Sequence, residues 1–287
     1  MRFLVLGAHG MAGHLIALYL QEQGYEVVGF ARKEIAYLEE VVKGDAFNLA
    51  SLEYAIEYSK ADVVINAIGI LNNDAEMYKS AAVYLNSYLP HKLADMLKDS
   101  KSRVFQISTD CVFKGNTGPY REDSVPDGMS YYDKTKALGE LNDSKNLTFR
   151  QSIIGPDINS DGIGLLNWFM KQENTIRGYT GAIWTGLSTL ELAKAIEATA
   201  KQDVAGLVNM VPEMSITKFD LLVLFSKYLR QDELLIEACE DVSIDKTLIR
   251  TNYDVGYRPL SYESQIEELA DWMRNHRRLY GHYKNLA

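Results

Sequence analysis

Cysteine is nearly absent from this chain. Its 287 residues contain two, Cys111 and Cys239, too far apart to suggest a disulfide framework or a thiolate metal spacing. Such sparing use suits a reducing, cytoplasmic compartment. The five histidines also lack metal-ligand spacing, so no metal site is expected. Long hydrophobic runs are missing too. The apolar start "MRFLVLGAHG" reaches its glycines within a few residues, too soon for a signal peptide or a membrane span. Positive charge is in deficit. With 30 basic and 39 acidic residues the net charge is −9, which argues against nucleic acid or an anionic membrane as partner. A small anionic substrate stays open, because it needs only a local basic pocket.

What the chain has is alternation. The apolar runs "RFLVLG", "YEVVGFAR", "KADVVINAIGI" and "SRVFQISTD" are separated by helical patterns. The first of these, "MAGHLIALYLQEQG", has Gly24 as its C-cap, and "EMYKSAAVYLNSYLPHKLADMLK" reads as one long amphipathic helix. Continuous Val/Ile/Leu strands between helices predict an α/β fold, a Rossmann-type doubly wound parallel sheet covered on both faces. This unit takes residues 1–155 and is completed by part of 178–210. Residues 156–287 read as a smaller mixed α/β lobe, mainly substrate-binding and interleaved with the first. It contains a helix opened by a capping box, Ser188 to Glu191, and a long terminal helix whose basic end reads as a solvated face.

Directly after the first strand, "GAHGMAG" spaces Gly7, Gly10 and Gly13 by three. One glycine permits the tight turn, one admits a pyrophosphate close to the backbone, and one lets the helix pack against the sheet. His9 and Met11 sit inside the turn and are counted with the cofactor contacts, with a solvent-facing His9 as the alternative. An NAD site usually ends its second strand in an acid; here Arg32 and Lys33 follow "GFA". Their charge suits a 2′-phosphate, so NADP(H) is preferred and NAD(H) is the alternative. Asp45 can face the adenine or cap a helix. Ala67 and Gly69 leave room for the cofactor's ribose.

Among 18 tyrosines, three have a lysine four residues on: Tyr88–Lys92, Tyr132–Lys136 and Tyr280–Lys284. On a helix that spacing shares a face. An ammonium beside a phenol favours the phenolate and should lower its pKa. Only Tyr132 comes after a strand end, "ISTD", that opens onto a cofactor crevice, and the other two pairs read as surface aromatics. Ser108 and Thr109 then bring hydroxyls near Tyr132, with Lys136 a turn further on. A hydroxyl, a phenol and an ammonium beside a nicotinamide make a carbonyl-reducing site. Thr109 holds the carbonyl oxygen, Tyr132 gives the proton, and Lys136 lowers the phenol's pKa and binds the nicotinamide ribose.

With "GAHGMAG", "STDCVFKG", "YDKTKALGE" and "RQSIIG" in hand, the chain resembles an extended short-chain dehydrogenase/reductase. More narrowly, it is similar over nearly its whole length to the dTDP-4-dehydrorhamnose reductase family. The family's catalytic threonine, tyrosine and lysine fall on Thr109, Tyr132 and Lys136. The resemblance implies NAD(P)H, reduction of the 4-keto group of a nucleotide-diphospho-6-deoxysugar, a role in making cell-surface polysaccharide, and a substrate lobe in the second half. Two positions depart from the pattern. Asp133 replaces a usual glycine, and Gln151–Ser152–Ile153–Ile154 lacks an aromatic that many members carry; Trp184 is the substitute considered, with a buried core role as the other reading.

A 4,6-dehydratase would need an Asp–Glu pair after the threonine, and Asp110 is followed by Cys111. A 4-epimerase commonly holds NAD, against which Arg32 leans. A non-catalytic NADP-binding regulatory subunit, like that of methionine adenosyltransferase, is the rival from another class. Ser108, Asp110, Trp184 and Arg250 are the substrate contacts expected. Arg250 leads Lys171, Arg177 and Lys246 as the diphosphate ligand, each of them otherwise a surface charge. Asn86 either steadies the site's backbone or packs a helix. The partner expected is a nucleotide sugar, and a homodimer is the assembly considered.

Overall fold

A computed structural model describes residues 1–231, 234–252 and 254–287. The four apolar runs form β1 (Arg2–Leu6), β2 (Glu26–Ala31), β4 (Val63–Asn66) and β5 (Arg103–Ile107), and the short strands β3 (Glu40–Lys43) and β6 (Leu147–Arg150) join them. Side chains alternate across a strand, so Phe3 and Val5 enter one core while Leu4 and Leu6 enter another on the opposite face. Helix α1 (Met11–Glu22) links β1 to β2, and α2 (Leu49–Ser59) links β3 to β4. Gly24, at φ +82°, turns the chain out of α1, as expected of its cap.

The long helix expected after β4 is broken into α3 (Asn72–Met77), α4 (Lys79–Ala82), a π-helical turn over Val83–Tyr88, and α5 (Leu89–Leu97). Pro90 accounts for the π turn, having no N–H for the carbonyl of Asn86, four residues back, and the earlier break falls where Tyr78 leaves helical geometry at φ −116°, ψ 60°. Gly139 occupies the space beside that carbonyl, where a Cβ would come to 1.8 Å of Asn86 O. Gly139 closes α6 (Tyr131–Leu138), which thereby packs directly on the π turn.

The second half supplies β7 (Ser152–Ile154), α7 (Leu165–Phe169), β8 (Ile176–Tyr179), β9 (Ala182–Trp184), β10 (Gly186–Ser188) and α8 (Thr189–Ala200). It continues through β11 (Gly206–Asn209), β12 (Ile216–Thr217), α9 (Lys218–Leu229), β13 (Ile236–Cys239), β14 (Ile244–Asp245) and α10 (Tyr262–Asn275). Strand β11 returns to pair with β6, completing a seven-stranded parallel sheet of order β11-β6-β5-β4-β1-β2-β3. Helix α8 packs on α1. The remaining strands form three small sheets, β10-β7, β12-β9-β14 and β13-β8.

Two local expectations change. Ser188 does cap α8, accepting from Glu191 N at 3.0 Å, but the reciprocal half of the box is missing. The Glu191 carboxylate instead accepts from Tyr257 Oη and Leu260 N, both at 2.7 Å. The terminal helix ends at Asn275; beyond it Arg277, Arg278 and Lys284 are exposed, as expected of a solvated face, while Tyr280, Tyr283 and Leu286 turn into the main core. Tyr280 is therefore no surface aromatic.

Candidate functional site at the carboxyl edge of the sheet

Strands β1, β4, β5 and β6 are parallel, so Gly7, Ala67, Ser108 and Gln151 leave the sheet at one edge. The order reverses between β1 and β4, and a crevice opens there. Gly7 adopts φ +82°, and a Cβ on it would lie 3.1 Å from Ala67 O. A Cβ on Gly13 would stand 2.2 Å from Gly7 O, so α1 abuts the turn only because that position is glycine. Gly10 caps α1 without a side-chain acceptor, and the first turn of the helix holds no acid. The free N–H groups there are open to an anion, and the cradle fits a dinucleotide's pyrophosphate. His9 and Met11 are half-buried in this turn, Met11 with its sulfur beside Gly164.

Arg32 and Lys33 project from the end of β2, exposed and without a side-chain partner among the described residues. Glu34 comes next and pairs with Lys43 at 3.4 Å. Asp45 is exposed, its Oδ1 accepting from Phe47 N at 3.0 Å just ahead of the Asn48 cap of α2. Gly69 lies against Asn86, whose amide donates to Ile70 O and Thr135 Oγ1 and whose Oδ1 accepts from Ile70 N. The π turn aims Asn86 at both segments, so the backbone-steadying reading of Asn86 describes the observed bonds.

Ser130 caps α6, and Asp133 closes a full capping box by accepting from Ser130 N at 3.0 Å. The acid that replaces the usual glycine thus holds the helix start. Tyr132 is buried beside Thr109, Asp110 and Cys111. Burial drives the phenol's pKa up, Cys111 adds to the rise, and a hydrogen bond with the Thr109 side chain opposes it. This corrects the expectation that Lys136 draws the phenol down: removal from water sets the direction, and Lys136 is not among the groups that shift it. Lys136 Nζ donates to Ile107 O at 2.6 Å, and burial lowers the ammonium's pKa to about 8 against the pull of Glu140.

Thr109 donates to Asp110 Oδ1 at 3.2 Å and accepts from Cys111 N at 3.1 Å. Ser108 is turned away from the crevice contacts expected of it. Its Oγ donates to Glu140 Oε1 at 2.7 Å, and Arg150 grips the same carboxylate through Nε at 2.8 Å and Nη2 at 2.6 Å. The Cys111 thiol is pushed up to about 12 by burial, which leaves it a packing group.

Two substrate candidates are corrected. Trp184 is 3% exposed, tilted against Tyr262 with Lys218 Nζ over its face, and offers no open aromatic surface. Arg250 is buried, its guanidinium donating to the carbonyls of Asn252, Val255 and Tyr257. It straps a loop and is not presented to a diphosphate. Arg177 pairs with Asp241, and Lys171 bonds Ser160 O, both at the surface. Two residues were assigned no role from the sequence. Gln151 is buried at the end of β6 with neither amide atom partnered among the described residues. Lys218, at the start of α9, is drawn to about pKa 8 by burial, against Asp110 and then Cys111.

The glycine cradle, the reversed strand order and the Tyr–Lys helix define a Rossmann-type nucleotide-binding protein of the short-chain dehydrogenase/reductase kind. Residues 1–153 match the family described as RmlD substrate binding domain, and the chain belongs to that family. Over 141 residues it is 31% identical to a Streptomyces griseus dTDP-4-dehydrorhamnose reductase, covering 48% of this chain and 43% of that one. It is also 31% identical over 144 residues to methionine adenosyltransferase 2 subunit beta of Xenopus tropicalis, 48% of this chain and 41% of the other. The matches thus span less than half the length of these curated relatives. A dTDP-4-dehydrorhamnose reductase from Bacillus anthracis, solved in complex with NADP, superposes with a TM-score of 0.77. It covers 93% of this chain and 98% of its own at 17% identity, a likeness of fold. No helix among the described residues is long and apolar enough to cross a membrane.

Proposed function

We propose that this protein is an NADP(H)-preferring reductase of the 4-keto group of a nucleotide-diphospho-6-deoxysugar, working in the cytoplasm on precursors of cell-surface polysaccharide. The observation that carries the reading is the meeting of Thr109, Tyr132 and Lys136 at the sheet edge that also bears the glycine cradle. Gly7, Gly10, Gly13, His9 and Met11 line the pyrophosphate; Arg32 and Lys33 meet the 2′-phosphate; Asp45, Ala67 and Gly69 flank the adenosine. NADPH, when bound, supplies the hydride.

The chain's own residues supply the rest. Thr109 orients the ketone oxygen, and Tyr132 donates the proton that oxygen takes up. A raised phenol pKa keeps that proton in place at neutral pH. Lys136, on the same helical face, stabilises the phenolate left behind. Residues 156–287 form most of the substrate lobe, with β11 lent to the main sheet.

The likeness to a methionine adenosyltransferase subunit supports a second reading, a cofactor-binding regulatory chain. The intact threonine, tyrosine and lysine set favours the enzyme. A panel of dTDP- and UDP-linked 4-keto-6-deoxysugars, incubated with the protein while NADPH absorbance is monitored, separates the two. Oxidation of NADPH on a member of the panel is expected. No oxidation on any, with co-purification of a catalytic partner, reverses the order.

A further inference from the structure

The three-stranded sheet β12-β9-β14 turns one face toward the loop that leaves Thr109. In it Ile216 lies opposite Trp184, while Ile244 lies opposite Ala182 and Asp245 opposite Ile183. Side chains alternate along a strand, so one further step of that register puts Lys246 on the face shared by Ile244 and Trp184. Lys218 comes directly after β12, and its Nζ stands 4.6 Å from the centre of the Trp184 ring. The same face rests on the loop after β5: a Cβ on Gly115 would come within 2.7 Å of Lys246 Cγ and 2.8 Å of Ile244 Cγ1. Two lysines from separate segments therefore converge on the turn that carries Thr109 and Asp110.

Neither ammonium makes a hydrogen bond or an ion pair with a described residue. The acid they face is Asp110, which is buried, pushed up by that burial, and drawn back down first by Lys218 and then by Lys246. Two cations thus face one buried carboxylate at this turn. Burial strips Lys218 of water with only Asp110 to answer it, and Asp110 is shared with Lys246, so the pair leaves room for a further anion. Arg250, the guanidinium the sequence offers for an anion, is committed to its own loop.

We propose that Lys218 and Lys246 receive a phosphoryl group of the substrate and so select a sugar carried on a diphosphate over the free sugar. The nature of the anion rests on the reductase reading above; the site itself rests on the convergence. Lysine suits the task as a compact point charge that adapts to a flexible phosphate.

Calorimetry on the NADPH-loaded full chain, with dTDP and with inorganic pyrophosphate as probes, reads this site without turnover. Wild-type protein should bind dTDP, and Lys218→Met and Lys246→Met should each weaken that binding about tenfold or more. Lys218→Arg should keep most of it. NADPH affinity and the melting temperature should stay at wild-type values, and with a turned-over keto-sugar nucleotide the loss should fall on KM rather than kcat. Should Lys218→Met fail to fold, Lys246→Met and Lys218→Arg still decide. Unchanged dTDP affinity in Lys246→Met overturns the proposal even where the reductase reading holds, as does a wild type that binds neither probe. Binding that is lost in the Met variants, with no keto sugar reduced, upholds the lysine site and sinks the reductase reading.

Discussion

Tyr280 Oη lies 2.9 Å from His14 Nε2, joining the tail of the chain to its first helix across 266 residues. On the other side of the ring, Nδ1 is 3.0 Å from Gly10 O, and Trp272 Nε1 donates to the Tyr280 oxygen at 3.4 Å. A carbonyl only accepts, so the network assigns the proton to Nδ1 and leaves Nε2 to accept from Tyr280. The imidazole is neutral, and it holds the carbonyl at the mouth of the glycine cradle.

That neutral ring makes stability depend on pH. Burial lowers the His14 pKa from an ordinary value near 6.5 to about 4. Between those values the unfolded chain binds a proton on this ring and the folded chain does not, so stability declines as pH falls from 6.5 toward 4. The full window is worth about 3 kcal/mol. Denaturant titrations at pH 7 and pH 5 should show the decline, and His14→Gln should flatten it. Equal slopes in the two proteins would remove His14 as the source.

Tyr132→Phe should lower kcat by a factor on the order of 10²–10⁴ while leaving the NADPH dissociation constant nearly unchanged. Steady-state rates with fluorescence titration of NADPH check this. Full turnover in the variant discards Tyr132 as proton donor.

Arg32→Ala should raise the KM for NADPH about tenfold, the scale of one charge-assisted phosphate contact, and leave NADH almost untouched. Losses of equal size for the two cofactors would take away the 2′-phosphate argument. Glu34, two residues on, is the acid to examine if NADH proves the better reductant.

Glu140→Ala should destabilise the fold by about 3–5 kcal/mol, because it strands the Arg150 charge in the interior. The two side chains are 7% and 3% exposed. Chemical denaturation measures the loss, and a change below about 1 kcal/mol, the range of an exposed pair, would show that water reaches the guanidinium.

The main sheet was legible where its strands are continuous apolar runs, as in β1, β2 and β4, while the short β3 carries no such signal; the cradle was legible because its glycines fall between a strand and a helix. Tyr132 stood out from Tyr88 and Tyr280 by its place after a strand end. The features that stayed hidden depend on partners distant in sequence. Nothing around Tyr280 announces His14, and Arg250 reads as a ligand until the carbonyls of Val255 and Tyr257 are seen to surround it. Lys218 carries no signal in the sequence, since only the pairing of β12 with β9 sets it over Trp184.

The π turn at Val83–Tyr88 carries a surplus residue relative to ordinary helical winding. The widened turn absorbs that residue, so Leu89 and Leu93 keep the phase of a regular helix beneath the sheet. Deleting the surplus residue would restore regular winding and take away only the local displacement that aims Asn86 at Ile70 and Thr135. The irregular winding is thus a detour that the helix beyond it does not feel, kept where one amide has to reach two backbones at once.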